Sequence, residues 1–258
     1  MFKVVQGLII REVEYKDSDK LLTVLTKSDG KITVLARGAR RKNSKFSAST
    51  QILTYSELSL FENKDRYTLN DANVIEMFAG LRRDIEKMSL AMYFAQLLDV
   101  VGDEDVACPS LLTLGLNGIY ALSNLNIEID LVKAAFELKL MSIMGYEPQV
   151  STCYSCGIKP QNPVFNVSLG SIMCNECRQD KKGLKIVADK SVIDAMNYVL
   201  LCDAKKLFNF RLKEKSLKLF CEICETYLIT QLEVSLYTLD FYKSLKFSTG
   251  EIHNDETV

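Results

Sequence analysis

The sequence predicts an α+β chain: a small N-terminal β-barrel, then a helical bundle interrupted by a cysteine-rich insert. Three observations predict it. Short Val- and Ile-rich runs fill the first 80 residues, apolar residues recur every three or four positions from Leu81 onward, and two Cys-x2-Cys pairs interrupt that helical pattern. At 258 residues, 48% hydrophobic and 25% charged, the chain is ordinary in composition and suits one large domain or two modest ones.

Lys3–Ile10 and Lys20–Lys27 read as the first two strands. Ser28-Asp29-Gly30 turns into Lys31–Arg37, where Ile32, Val34 and Ala36 alternate with Lys31, Thr33 and Leu35, a hairpin signal. Ile52–Phe61, Arg66–Asn70 and Asn73–Met77 are further strands. Five or six short strands in about 80 residues cannot build a large sandwich but can close a small barrel. The pattern favours an OB-type barrel; an SH3-like barrel also satisfies it.

After Gly80 the period changes. Leu81, Ile85, Met88, Met92 and Ala95 share one helical face, and Met88 and Met92 read as core. Ser110–Leu122 is a weaker helical run. Ile129, Val132, Phe136, Leu140 and Ile143 form another stripe, with Gly145 as its C-cap. The helical pattern stops over 151–182, resumes near Asp189 and runs to about Lys246. The expected domains are a barrel over 1–80, a helical domain over 81–250 holding a metal module at 151–182, and a disordered polar tail at 251–258.

Composition excludes several function classes. The single His, His253, lies in the polar tail, so chemistry built on a buried imidazole has no residue to use. Neither G-x-x-x-x-G-K-[ST] nor G-x-G-x-x-G occurs, and Asp103-Glu104-Asp105 reads as a solvated turn, so no catalytic residue is assigned and a non-enzymatic role is expected. No uncharged apolar run reaches the ~18 residues of a membrane span, and the opening Met1–Arg11 does not read as a signal peptide. A cytoplasmic protein without membrane contact is expected, where metal binding is a better default for cysteines than disulfides.

Cys153/Cys156 and Cys174/Cys177 stand 17 residues apart, which fits C-x2-C-x15–20-C-x2-C. Two residues between thiolates let a tight turn aim both sulfurs at one ion, so two such turns predict a four-cysteine zinc-ribbon-like site. The competing reading is four buried thiols or a redox pair. Four thiolates leave zinc no open position, so the site is expected to be structural, replacing a core that some thirty residues cannot supply. Cys221-x2-Cys224 has the same spacing but continues a stripe with Leu217 and Leu228, and reads as helix packing; Cys108 and Cys202 read as packing residues too.

Gly30 to Ser56 contains no acid, and within it Arg37, Arg40, Arg41, Lys42 and Lys45 put five cations into nine residues. Residues 1–80 carry 13 basic and 10 acidic side chains, a net of +3, against 19 and 23, a net of −4, in the remainder. On a barrel loop these cations could follow a phosphate backbone, with Phe46 free to stack on a base. A solvated surface loop is the plainer reading. A second cluster, Lys205, Lys206, Arg211, Lys213, Lys215 and Lys218, could be a solvated helix face, extend a nucleic-acid track or receive an acidic peptide. A zinc-ribbon RNA-binding protein and an adaptor for acidic partners both remain compatible with these features.

Taken together, Val5-Gln6-Gly7-Leu8-Ile9-Ile10 with Arg11 and Tyr15, Asp19 leading into Leu21–Thr26, Gly30, Leu35-Ala36-Arg37-Gly38-Ala39-Arg40-Arg41 and the two cysteine pairs resemble the bacterial DNA repair RecO family along most of the chain. The resemblance implies an N-terminal OB-fold, a helical domain with one structural zinc ion, and binding of single- and double-stranded DNA. It also implies strand annealing, partnership with RecR and single-stranded-DNA-binding protein, an indirect link to RecA, and a nucleoid-associated cytoplasmic location. Carried onto this sequence, Arg37, Arg40, Arg41, Lys42 and Lys45 become the expected DNA contacts.

Overall fold

The computed structural model describes residues 1–64, 66–179 and 181–252, with backbone only from 247 onward. His253 and the end of the expected tail lie outside the described residues. Two compact units emerge: residues 1–125 with 236 onward, and residues 126–235.

The first unit is built on a closed five-stranded barrel. Its strands are β1 (Phe2–Tyr15), β2 (Asp19–Thr26), β3 (Lys31–Ala36), β4 (Tyr55–Asn63) and β5 (Arg66–Glu76), in the order β1-β2-β3-β5-β4. All pairings are antiparallel except the closing one, where Val34 and Leu35 run parallel to Tyr67 and Thr68. This is the OB-like arrangement. β1 serves two neighbours, pairing through Phe2–Leu8 with β4 and through Gly7–Tyr15 with β2. A bulge at Ile10 bends it between them, because one unpaired residue increases local twist.

That bend explains the unbroken apolar run in β1. Val5 and Ile9 join Leu22, Val24, Ile32, Val34, Leu58, Leu60 and Leu69 inside the barrel. Leu8 and Ile10 are equally buried, and the Leu8 methyls lie close to Gly115 of a covering helix. The two expected strands at 66–70 and 73–77 are one strand, β5, which bulges at Asn70 without ending.

Helices α1 (Ile85–Val101), α2 (Pro109–Asn124) and α6 (Tyr237–Ile252) complete this unit. Asp84 caps α1 by accepting hydrogen bonds from the Glu86 and Lys87 amides at 3.0 and 3.1 Å. The face expected to be buried is only partly so. Leu81 and Ala95 are buried, whereas Ile85 is exposed and Met88 and Met92 are half-buried, lining a groove with Tyr237 and Phe241. Burial instead covers Leu90, Ala91, Tyr93, Phe94, Leu97 and Leu98, since α1 has neighbours on most sides and one stripe cannot describe it.

The second unit holds α3 (Ile129–Ile143), a sheet of β6 (Val164–Asn166), β7 (Ser171–Met173) and β8 (Lys185–Val187), and helices α4 (Lys190–Leu201) and α5 (Glu214–Leu232). The expected hairpin is β6–β7; β8 joins the other edge of β6 and was not announced by alternation. Gly145, at φ 85°, ends α3 in the left-handed conformation its position suggested. Asp189 caps α4 through the Val192 amide at 2.9 Å. α3 is buried all round from Leu131 to Leu138, which takes a charged pair inside: Lys133 Nζ lies 2.7 Å from Glu137 and 2.8 Å from Glu225 of α5. Burial lowers the Lys133 pKa, but the Glu137 and Glu225 carboxylates more than reverse that and raise it.

The Asp103-Glu104-Asp105 turn is exposed, but its backbone is not idle. Lys31 N donates to Asp103 O at 3.0 Å, and Glu104 bridges Gly30 and Lys31. Gly30 has φ 63°, and a Cβ there would sit 2.3 Å from Val106 O. Gly30→Ala should therefore cost more stability than Gly145→Ala, where φ is also positive but nothing lies within 4 Å. Strain alone predicts about 1–3 kcal/mol at either site, and the backbone clash adds to it at Gly30. Urea midpoints of the two variants, equal or reversed in order, would refute the close-approach account.

Candidate nucleic-acid interface and metal centre

The basic segment is the β3–β4 connection, residues 37–54. It forms a chain of tight turns, with Arg41 N donating to Gly38 O, Ser44 N to Arg41 O and Ser47 N to Ser44 O. Its inner side belongs to the barrel: Ala39 and Phe46 are members of the barrel core, and Leu53 is buried. Phe46 is thus unavailable for stacking on a base, contrary to expectation, because an apolar side chain beside an open barrel end gains more by covering it.

The segment is also tied to the β1–β2 turn. Gly38 N donates to Asp19 Oδ1 at 2.7 Å, and Arg40 N donates to Ser18 O at 2.9 Å. All five predicted cations are exposed, and they fall into two sets. Arg40 pairs with Glu14 at 2.8 Å, and Lys45 pairs with Asp71 at 2.9 Å while lying 4.9 Å over the Phe46 ring. Lys45 holds the Asp71 carboxyl below its ordinary pKa. Arg37, Arg41 and Lys42 make no ion pair among the described residues. Exposed pairs of this kind hold little net stability, so Arg40 and Lys45 are as open to an anion in place of Glu14 or Asp71 as the unpaired cations are.

Sequence reasoning missed the turn that meets this segment. Tyr15 is 39% exposed, and Lys16 Nζ stands 5.3 Å over its ring. The signal was present: Val13 and Tyr15 alternate with Glu12, Glu14 and Lys16, which carries β1 five residues beyond Ile10.

In the second unit the two cysteine pairs converge. The Sγ atoms of Cys153, Cys156, Cys174 and Cys177 all lie within 4.8 Å of one another, with Cys156 and Cys174 3.9 Å apart. Four thiolates ~2.3 Å from one ion would form a tetrahedron with edges of about 3.8 Å, so the donor set fits a metal ion closely. Backbone amides already point at the sulfurs: Cys174 N donates to Cys153 Sγ and Cys177 N to Cys174 Sγ, both at 3.4 Å. Burial pushes the Cys153 thiol up, but amides of Cys156, Cys174 and Ser155 outweigh it and bring it down to about 6. Cys177 is pushed up to about 12 by its hydrogen bond to Cys174, then by burial and the remaining sulfurs. A cation among them removes that mutual penalty.

The remaining cysteines stand apart from this cluster. Cys224 is fully buried in α5, where burial pushes its thiol far up, and Cys221 donates to Asp130 O at 3.4 Å. Both are packing residues. Cys108 and Cys202 are half-buried at helix ends, caps more than core.

An OB-like barrel with an exposed basic crossing segment, followed by helices and a short-stranded insert whose four thiols could hold a metal ion, is the architecture of a nucleic-acid-handling class of protein. The comparisons make this particular. Residues 1–78 match the model of the recombination protein O N-terminal domain and residues 82–240 that of its C-terminal domain. The chain is 36% identical over 244 residues to a DNA repair protein RecO of Acetivibrio thermocellus, covering 93% of this chain and 95% of that one. It is 29% identical over 243 residues to the RecO of Alkaliphilus metalliredigens, covering 93% and 98%. The chain belongs to the recombination protein O family, a family of DNA repair and recombination proteins. Among the described residues no helix is long and apolar enough to cross a membrane.

Cys153→Ser with Cys156→Ser should abolish bound metal in the purified protein, while Cys221→Ser should leave metal content unchanged. Elemental analysis of the two variants decides it, and metal lost from the Cys221 variant would contradict the assignment.

Proposed function

We propose that this protein is a non-catalytic recombination mediator that binds single- and double-stranded DNA through the barrel and anneals complementary strands. On this reading it works with RecR on strands coated by single-stranded-DNA-binding protein and so helps to load RecA. The observation that carries it is the crossing segment, which presents Arg37, Arg40, Arg41, Lys42 and Lys45 to solvent on a backbone pinned by buried Ala39 and Phe46. Family membership supplies the class of substrate.

The chemistry is electrostatic. Two strands repel through their phosphates, and a cationic surface that neutralises both lowers the barrier to pairing. Each phosphate contact releases counterions, so affinity falls steeply with salt. Arg37, Arg41 and Lys42 reach phosphate directly; Arg40 and Lys45 do so by giving up Glu14 and Asp71. The resident metal is zinc, held by Cys153, Cys156, Cys174 and Cys177. Four thiolates satisfy a d10 ion with no position left for water, so its role is to hold the β6–β8 module together.

Arg37→Ala with Arg41→Ala and Lys42→Ala should lower affinity for single-stranded DNA and flatten its salt slope by roughly 2 for three lost contacts, at nearly unchanged melting temperature. Annealing of two complementary fluorescent oligonucleotides, bare and then protein-coated, should slow in parallel. An unchanged salt slope would remove the barrel segment from the interface. Equal or tighter binding to RNA of the same sequence would favour an RNA-binding role, and no nucleic-acid binding at low salt an adaptor.

A further inference from the structure

The α4–α5 connection and the first turn of α5 form a cationic strip that the barrel interface does not use. Lys205, Lys206, Arg211, Lys213, Lys215 and Lys218 fall within fourteen residues, against the single acid Glu214. All six are exposed. Glu214 pairs with Lys218 at 2.7 Å, and the other five make no ion pair among the described residues.

Their backbone is held in place. Leu207 and Phe208 are buried, Tyr198 Oη donates to Lys206 O at 2.7 Å, and the Phe210 ring contacts Tyr198 and Phe220 at centroid distances of 5.3 and 6.0 Å. Charges on an anchored backbone lose less freedom on binding than charges on a loose loop. The start of α5 adds to the field: its cap, Lys213, has no side chain able to accept a hydrogen bond, so the first amides and the positive end of a 19-residue helix face the same ligand.

We propose that this strip is a second nucleic-acid backbone site, placed on the other compact unit from the barrel segment, and that it holds the second strand during annealing. The inference rests on the proposed function and deepens it. Two features favour phosphate backbone over an acidic peptide. Between positions 205 and 218 no large apolar side chain is exposed, so an apolar anchor residue of a peptide finds no seat. The cations are spread along the turn and the helix start, as a repeating line of phosphates requires. One molecule with a strand on each unit neutralises both partners of the future duplex.

The test is a fourfold variant of the full chain, Lys205→Ala, Lys206→Ala, Lys213→Ala and Lys215→Ala, beside the barrel triple variant and the unaltered protein. The probe is a long fluorescent oligodeoxythymidine titrated across salt, followed by annealing of complementary strands. The strip variant should lose roughly tenfold or more in affinity near 0.1 M salt, with a slope shallower by about 3, and should anneal more slowly. Combining both sets should abolish binding. Should the fourfold variant melt early, Lys215→Glu on the solvated face of α5 gives the same readout. Unchanged slope and annealing in a strip variant, while the barrel variant is weakened, would overturn this inference and leave the barrel interface standing. Loss confined to binding of polyglutamate would also overturn it. Failure of the unaltered protein to bind DNA would overturn both.

Discussion

Closure of the barrel is the constraint from which the rest of the first unit follows. Because β3 pairs in parallel with β5, the chain cannot turn directly from β3 into β4 and must cross, and residues 37–54 make that crossing. A crossing segment over a small barrel has two jobs with opposite chemistry. Its inner side must cover the core, which Ala39, Phe46 and Leu53 do; its outer side is wholly solvated, so Arg37, Arg40, Arg41, Lys42 and Lys45 can be charged at no cost to folding. The basic surface is therefore a consequence of topology as much as of composition.

Much of this was legible in the sequence, and the limits have physical causes. The first strands of the barrel, the Asp29-Gly30 turn, the four-thiol spacing and the α3 stop at Gly145 each rest on a local rule, and those rules read correctly here. What failed depended on distant neighbours. Phe46 looks like an exposed stacking residue because its flanks are Lys45 and Ser47; only the barrel end makes it core. Ile85, Met88 and Met92 form a regular stripe, yet α1 buries other faces against its neighbours. The stripe Ile129, Val132, Phe136, Leu140 and Ile143 gave no sign of Lys133 and Glu137, which α5, bringing Glu225, turns into part of a buried ion network. The acidic turn at 103–105 hid a backbone partner for Gly30.

The second unit combines a small core with two polar clusters, the four thiols and the buried Lys133 ion pairs. The cysteine module, with three strands of three residues each, buries only a small core around Val164, Phe165, Val167, Ile172, Met173 and Ile186, and on the proposed reading an ion held by the four sulfurs adds the cohesion so small a core lacks. Lys133 acts differently. A buried ion pair adds little net stability compared with apolar residues of the same volume, but removing one member leaves a buried charge unpaired, at a cost of about 3–5 kcal/mol. It ties α3 to α5 by penalising every arrangement that separates them.

Within the crossing segment the residues that fix the backbone are buried and neutral, and the charged ones are exposed, so on the proposed reading stability and binding are carried by different atoms. The α4–α5 connection repeats the arrangement with Leu207 and Phe208 inside and lysines outside. On the proposed reading this separation suits annealing, which requires a protein to hold two strands and then release their duplex. Contacts made by exposed lysines and arginines are individually weak and exchange readily with salt. A deep base-specific pocket would retain the strand it had captured; shallow charge on a rigid backbone brings phosphates together and lets the completed duplex leave.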